Sequence, residues 1–359
     1  MRVTPRRHTL VVLAFASALS GCASPPPPPP PPPKPVVPGP PTDTVRIPLT
    51  DLLTRTYYGN AGGLYPGGIN QAPADHDSAA RARRTSIKAL DVNGDESPFG
   101  KYVLLSIGSS NATQEWCSKG SGPPCAPWTF MGKAAADPSI NHYTLVIVNA
   151  AAEGQDASSW TSATSPNYDR IKVARLAPLG LSENQVQAAW VELDDPKPSV
   201  KLPADSADAY ALLTNVGQVL RALRIRYPNI RIVFLSSRIY GGYATVDVTG
   251  EPYAYESGFA IKWAIQSQIN EMRALPINPH AGTLDYNKKL APPIVWGPYF
   301  WADGSTPRSD GVVWTRADFE EDGSHPSQAG EAKVAGMLID FFKVSPYARC
   351  WFLANQYCL

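Results

Sequence analysis

Two short stretches, far apart in the chain, carry the residue types of a nucleophilic relay. Gly108-Ser109-Ser110-Asn111 follows the apolar run 102–107, and Asp322-Gly323-Ser324-His325-Pro326 stands near the C-terminus. A serine hydroxyl is a weak nucleophile until a base takes its proton. A histidine can be that base, and a carboxylate on its other ring nitrogen fixes the tautomer and steadies the imidazolium that forms. Ser110, His325 and Asp322 are therefore the candidate nucleophile, base and orienting acid. Of the five histidines, only His325 has an Asp three residues before it, and Pro326 favours a fixed loop. The plainer reading is that Ser106, Ser109 and Ser110 solvate a turn and that His325 sits on a surface loop. The order of the two motifs, after a first strand and in a last loop, favours the relay.

The elements that must position these residues alternate in type. Residues 102–107, 143–149, 186–193, 230–235 and 293–296 read as buried strands from their apolar and β-branched runs. Residues 205–227 read as a helix, with Ala209, Leu212, Leu213, Val216, Val219, Leu220 and Leu223 on one face and Pro228 as its stop. Residues 255–275 and 328–342 give two more helices, and the Gly-, Pro- and Asn-rich segment 60–77 reads as an irregular loop. Alternation of this kind predicts an α/β fold, a mainly parallel sheet with helices on both faces. Sites in such sheets lie beyond the carboxyl ends of the strands. That rule selects the loops 108–114, 149–160, 236–244 and 297–325, which hold both halves of the relay.

With these blocks in place the chain resembles the SGNH, or GDSL-like, hydrolases over about residues 102–342. The resemblance implies a three-layer α/β/α sandwich and a serine esterase or deacylase of lipids, sugars or polysaccharides that needs no metal or other cofactor. Carried over by position, Ser110 attacks, His325 is the base and Asp322 orients it. Ser109 stands where the family usually has Asp. Gly154, in Ala152-Glu153-Gly154-Gln155, matches the loop glycine that joins the Ser110 N–H in the oxyanion hole. The family adds an Asn from a third block; here that region reads Glu192-Leu193-Asp194-Asp195, and an ionised Asp cannot donate to an oxyanion. Asn111 is the substitute donor. The expected substrate is an ester, with O-acylated carbohydrate the leading class. A non-catalytic carbohydrate-binding or envelope-scaffold protein on the same fold is the alternative, supported by Ser109 and the absent Asn.

Other side chains on the selected loops could contact substrate. Gln155 is a candidate polar wall, Arg238 a partner for an acidic group, and Trp301, with Tyr240, Tyr243 and Tyr299, a stacking surface for sugar rings. For each, ordinary loop packing or pairing with a nearby carboxylate is the competing reading. Asp303 and Asp310 have no metal-ligand spacing, and no metal is expected.

The N-terminus carries an address. Arg2, Arg6 and Arg7 precede the short apolar stretch 10–19, and Leu19-Ser20-Gly21-Cys22 resembles a bacterial lipobox. Residues 1–22 are thus expected to be a lipoprotein signal with lipid on Cys22. An ordinary secretory signal with a chance cysteine is the alternative. Ala23 after the cysteine points to the outer membrane in a Gram-negative host. Residues 23–43 form a linker whose nine prolines, Pro25 to Pro33, would span roughly 28 Å as polyproline II. Residues 44–359 are expected to be the hydrolase-like domain. An exported chain meets an oxidising compartment, so the remaining cysteines should pair. More than one pairing is open; Cys117 with Cys125 and Cys350 with Cys358 are local and preferred. A zinc site is the weaker alternative, because neither spacing suits a zinc knuckle. A net charge of +1, with no basic aromatic run, gives no reason to expect nucleic acid as a partner.

Overall fold

The computed structural model describes residues 44–118, 122–195, 197–245, 250–356 and 358. Cys22, the signal segment and the proline-rich linker lie outside the described residues. Five strands form the main sheet: β1 (Tyr102–Gly108), β2 (Leu145–Val148), β3 (Val186–Glu192), β4 (Ile232–Ser236) and β5 (Ile294–Trp296). Their spatial order is β2-β1-β3-β4-β5 and every pair is parallel. Strands covered on both faces need apolar side chains on both, which is why β1 and β3 are buried along their whole length.

Alternate residues of β1 enter different cores. Val103, Leu105 and Ile107 join a core shared with helices α4 (Asp208–Arg226) and α5 (Tyr253–Met272). Tyr102 and Leu104 join a second core with α1 (Ala74–Arg84), α2 (Ser110–Cys117), α3 (Phe130–Ala136) and α6 (Gln328–Val344). The result is the expected three-layer α/β/α sandwich. From β1 the chain crosses to β2 on one side, then returns to β3 on the other. The carboxyl ends of β1 and β3 therefore flank the point where strand order reverses, the usual ligand crevice of such sheets.

Helix α1 begins at Ala74, inside the segment read as loop. Its signal is charge rather than apolar period: Asp75 and Asp77 in the first turn, Arg81, Arg83 and Arg84 in the last, which complements the helix dipole. Strand β2 is shorter than its apolar run; Tyr143, placed in it by sequence, stays 64% exposed ahead of it. Cys117–Cys125 and Cys350–Cys358 are the two disulfides, the local pairs preferred from sequence. The zinc alternative falls with them. Among the described residues no helix is long and apolar enough to cross a membrane.

Candidate active site

Strand β1 ends where its neighbour leaves no room. Gly108 pairs with Glu192 on β3, and a Cβ at Gly108 would lie 2.3 Å from the Glu192 carbonyl oxygen. Ser109 is extended and precedes the next helix without a side-chain cap, so Ser110 is the first residue of α2 rather than part of an open loop. An N–H there has no acceptor within the helix, and the partial positive charge of the helix end surrounds it.

The loop carrying His325 is braced from several directions. The Asp322 Oδ1 accepts from the Ser324 and His325 N–H groups at 2.9 and 3.0 Å. The Glu320 N–H donates to the His325 carbonyl, and the Thr245 N–H to the Asp322 carbonyl. Gly323 takes the turn at φ +68°, and a Cβ on it would meet the Tyr243 carbonyl oxygen at 1.8 Å. So held, Asp322 Oδ2 lies 2.5 Å from His325 Nδ1, and His325 Nε2 lies 2.8 Å from Ser110 Oγ. Partial burial pushes the Asp322 carboxyl up, but the hydrogen bonds from the His325 ring and the backbone N–H groups outweigh it and hold it low. An anionic Asp322 requires Nδ1 to carry the proton, which leaves Nε2 free to accept from the Ser110 hydroxyl.

Ser109 is 6% exposed, and its Oγ is buried without a hydrogen-bond partner. It makes no hydrogen bond to Ser110 or His325. Ser109→Ala removes an unsatisfied hydroxyl and should leave hydrolysis within about twofold and stability unchanged or higher. Activity and Tm measured together check this, and a dead Ser109→Ala would mean that the nucleophile has been placed one residue too late.

The remaining candidates divide. Gly154 lies exposed on the loop after β2 at φ +68°, with open space where a Cβ would be. Beside it Glu153 accepts from Gln114 Nε2 at 3.1 Å, tying that loop to α2. Asn111, the expected substitute donor, makes a contact with the histidine loop. It is 1% exposed and its amide donates to the Ser324 carbonyl at 3.2 Å, so it braces that loop. Gln155 is also a brace: its Oε1 accepts from Asn167 at 2.7 Å and its carbonyl from the Trp160 indole. Arg238 is 4% exposed and faces Glu192 and Asp194, so its charge is directed at carboxylates of this chain. Trp301 is fully buried with its indole N–H on Glu251 at 2.6 Å, and Tyr299 is core too. These loops are long enough to fold over themselves, and their large aromatic residues are used to pack them.

An open cleft of about 560 Å³ borders the relay, lined by Gln114, Glu153, Glu320, Glu321, Asp322 and His325. Its acidity escaped the sequence reading, although the run Glu320-Glu321-Asp322 was there to see. Among the described residues no group of His, Cys, Asp or Glu is arranged to hold a metal ion.

A parallel α/β/α sandwich with a serine after its first strand and a hydrogen-bonded Asp-x-x-His in its last loop keeps the fold and motif order of the SGNH hydrolases that the sequence resembles. No family model and no curated protein matches the chain. Solved structures do. They include the psychrotrophic esterase EstA from a Pseudoalteromonas species, at 12% identity over 68% of this chain and 97% of that one, TM-score 0.35. The carbohydrate acetylesterase Est24 from Sinorhizobium meliloti matches at 15% identity over 67% and 97%, TM-score 0.35. An extracellular lipase from Streptomyces rimosus matches at 16% over 67% and 99%, TM-score 0.29. Likeness at this level fixes neither substrate nor residue roles, which have to come from the site itself.

Proposed function

We propose that this chain is a lipid-tethered serine esterase that removes O-acyl groups, with acylated carbohydrate the leading substrate class. The observation that carries the reading is the unbroken Ser110–His325–Asp322 hydrogen-bonded chain at the sheet's switch point. His325 Nε2 takes the hydroxyl proton as Ser110 Oγ attacks the acyl carbon. The N–H groups of Ser110 and Gly154 face the developing oxyanion. His325 then protonates the departing alcohol, and water, activated by the same nitrogen, releases the acid. Cys22 with its lipid holds residues 44–359 off a bacterial envelope membrane, the outer one in a Gram-negative host, by way of the 23–43 linker.

The test is covalent labelling of the full chain in detergent by a fluorophosphonate probe, with the adduct mapped by mass spectrometry. The adduct is expected on Ser110, with turnover of acetylated sugars, short p-nitrophenyl esters or lysophospholipids identifying the acyl donor. Neither labelling nor turnover would leave the non-catalytic scaffold as the better reading. Cys22→Ser should move the protein from the membrane to the soluble fraction.

The acidic cleft gives a further expectation. Carboxylates at Glu153, Glu320 and Glu321 disfavour an anion beside His325. An ester with a carboxylate near its scissile bond should be cleaved at least about tenfold more slowly, in kcat/KM, than its neutral isostere at low salt. The gap should narrow as salt screens the cleft. Equal rates for the two esters at low salt would remove the rim from any role in selection.

A further inference from the structure

Beneath the nucleophile lies a cluster of ionisable groups for which the hydrolytic steps have no use. Glu115, on α2 five residues past Ser110, and Glu192, the last residue of β3, are both 0% exposed. They face each other as a carboxyl pair. With both ionised, all four of their oxygens are buried without a hydrogen-bond donor. Arg238, after β4, approaches Glu192 at 3.7 Å and Asp194 at 3.3 Å. One guanidinium thus faces three acids. In a dry interior such a surplus of negative charge is relieved by keeping a proton. A single proton on the pair turns two repelling carboxylates into a donor and an acceptor.

We propose that Glu115 is a positioning residue for the nucleophile: as the neutral acid it donates a hydrogen bond to Glu192 and so ties the helix that starts at Ser110 to the end of β3. The inference rests on Ser110 being the nucleophile, but the pair can be examined without turnover. The link lies at the ends of β1 and β3, where Gly108 and Glu192 are paired neighbours. Removing the proton sets two carboxylates against each other there and pushes α2 away from β3. Burial and the neighbouring Glu192 charge both raise the Glu115 carboxyl well above the ordinary carboxylate range. The folded chain therefore binds a proton that the unfolded chain has released, so this pair's contribution to stability falls as pH rises through that window. Hydrolysis should hold across that window and fall only at its alkaline end, where the folded chain itself loses the proton and α2 shifts.

The molecule carries its own reporter. Trp116 adjoins Glu115, Trp190 lies two residues before Glu192, and their rings stack at 5.5 Å with 16° between planes. Difference infrared spectroscopy of the full chain, neutral against alkaline, should show the loss of a protonated carboxyl band together with a change in near-ultraviolet circular dichroism from this pair. Glu251 and Glu256 are also buried acids pushed upward, so the band is assigned by its absence from Glu115→Gln. The glutamine keeps a donor toward Glu192. It should restore hydrolysis to within about threefold of the parent while removing the alkaline fall in kcat, whereas Glu115→Ala should lower kcat with KM little changed. An infrared band and alkaline profile identical in the parent and in Glu115→Gln would overturn the proposal, whatever the substrate proves to be. So would a Glu115→Ala that matched Glu115→Gln in kcat at every pH.

Discussion

Ser110→Ala is expected to abolish hydrolysis and probe labelling, with kcat falling by about 10⁴-fold or more. The change removes only one oxygen, whose hydrogen bond to His325 Nε2 spans 2.8 Å, so the fold should be untouched and Tm unchanged. His325→Ala should fall as far. Groups that act as a unit lose their effect together, so the double variant should be little worse than either single one. Asp322→Asn should lose about 10⁴-fold by presenting the wrong tautomer while keeping much of the loop geometry. Full activity in Ser110→Ala would move the nucleophile elsewhere.

Gly323→Ala should cripple the enzyme from a position that never touches substrate. Its φ of +68° is strained for any side chain, and the added methyl would sit 1.8 Å from the Tyr243 carbonyl oxygen and 2.4 Å from its carbon. Backbone cannot yield as a flexible side chain would, so the turn itself must move. Asp322 and His325 stand on either side of that turn. A displacement of about 1 Å at a reacting group can cost on the order of 10²-fold, and a fall of that size in kcat is expected. The fall should exceed what the change in Tm accounts for. A Gly323→Ala chain with the parent kcat would show that the loop has slack that its hydrogen bonds do not suggest.

The relay and the sheet were legible because both are written in local pattern. Buried parallel strands need continuous apolar runs, and an Asp three residues before a His can close on its own ring. Helix α2 was not legible. Ser-Asn-Ala-Thr-Gln-Glu-Trp-Cys has weak helical preference, and Glu115 mid-helix looks solvent-facing until β3 supplies its partner. Helix α1 was hidden by the Gly-rich stretch leading into it. The substrate wall fared worst, because burial decides what a polar or aromatic loop residue does. Arg238, Gln155, Asn111 and Trp301 were chosen by loop and chemistry alone. Each proved to be turned inward, toward Asp194, Asn167, the Ser324 carbonyl and Glu251 respectively. Glu192 and Asp194 read in sequence as a missing donor; in three dimensions they belong to a buried charge cluster.

The hydrogen bond between Ser110 and His325 joins residues 215 positions apart. No segment of this chain can therefore assemble the relay early. β1 and α2 are synthesised well before the last loop, which hydrogen-bonds within itself and also docks on Thr245 and Asn111. Contacts of such long range form late, since the entropy of closing the intervening chain is lost before they are rewarded. A chain still being synthesised or exported, or one cut short before residue 325, would hold a serine with no base beside it. Regain of hydrolysis during refolding should then lag behind regain of helical signal, making turnover a clock for the final docking step.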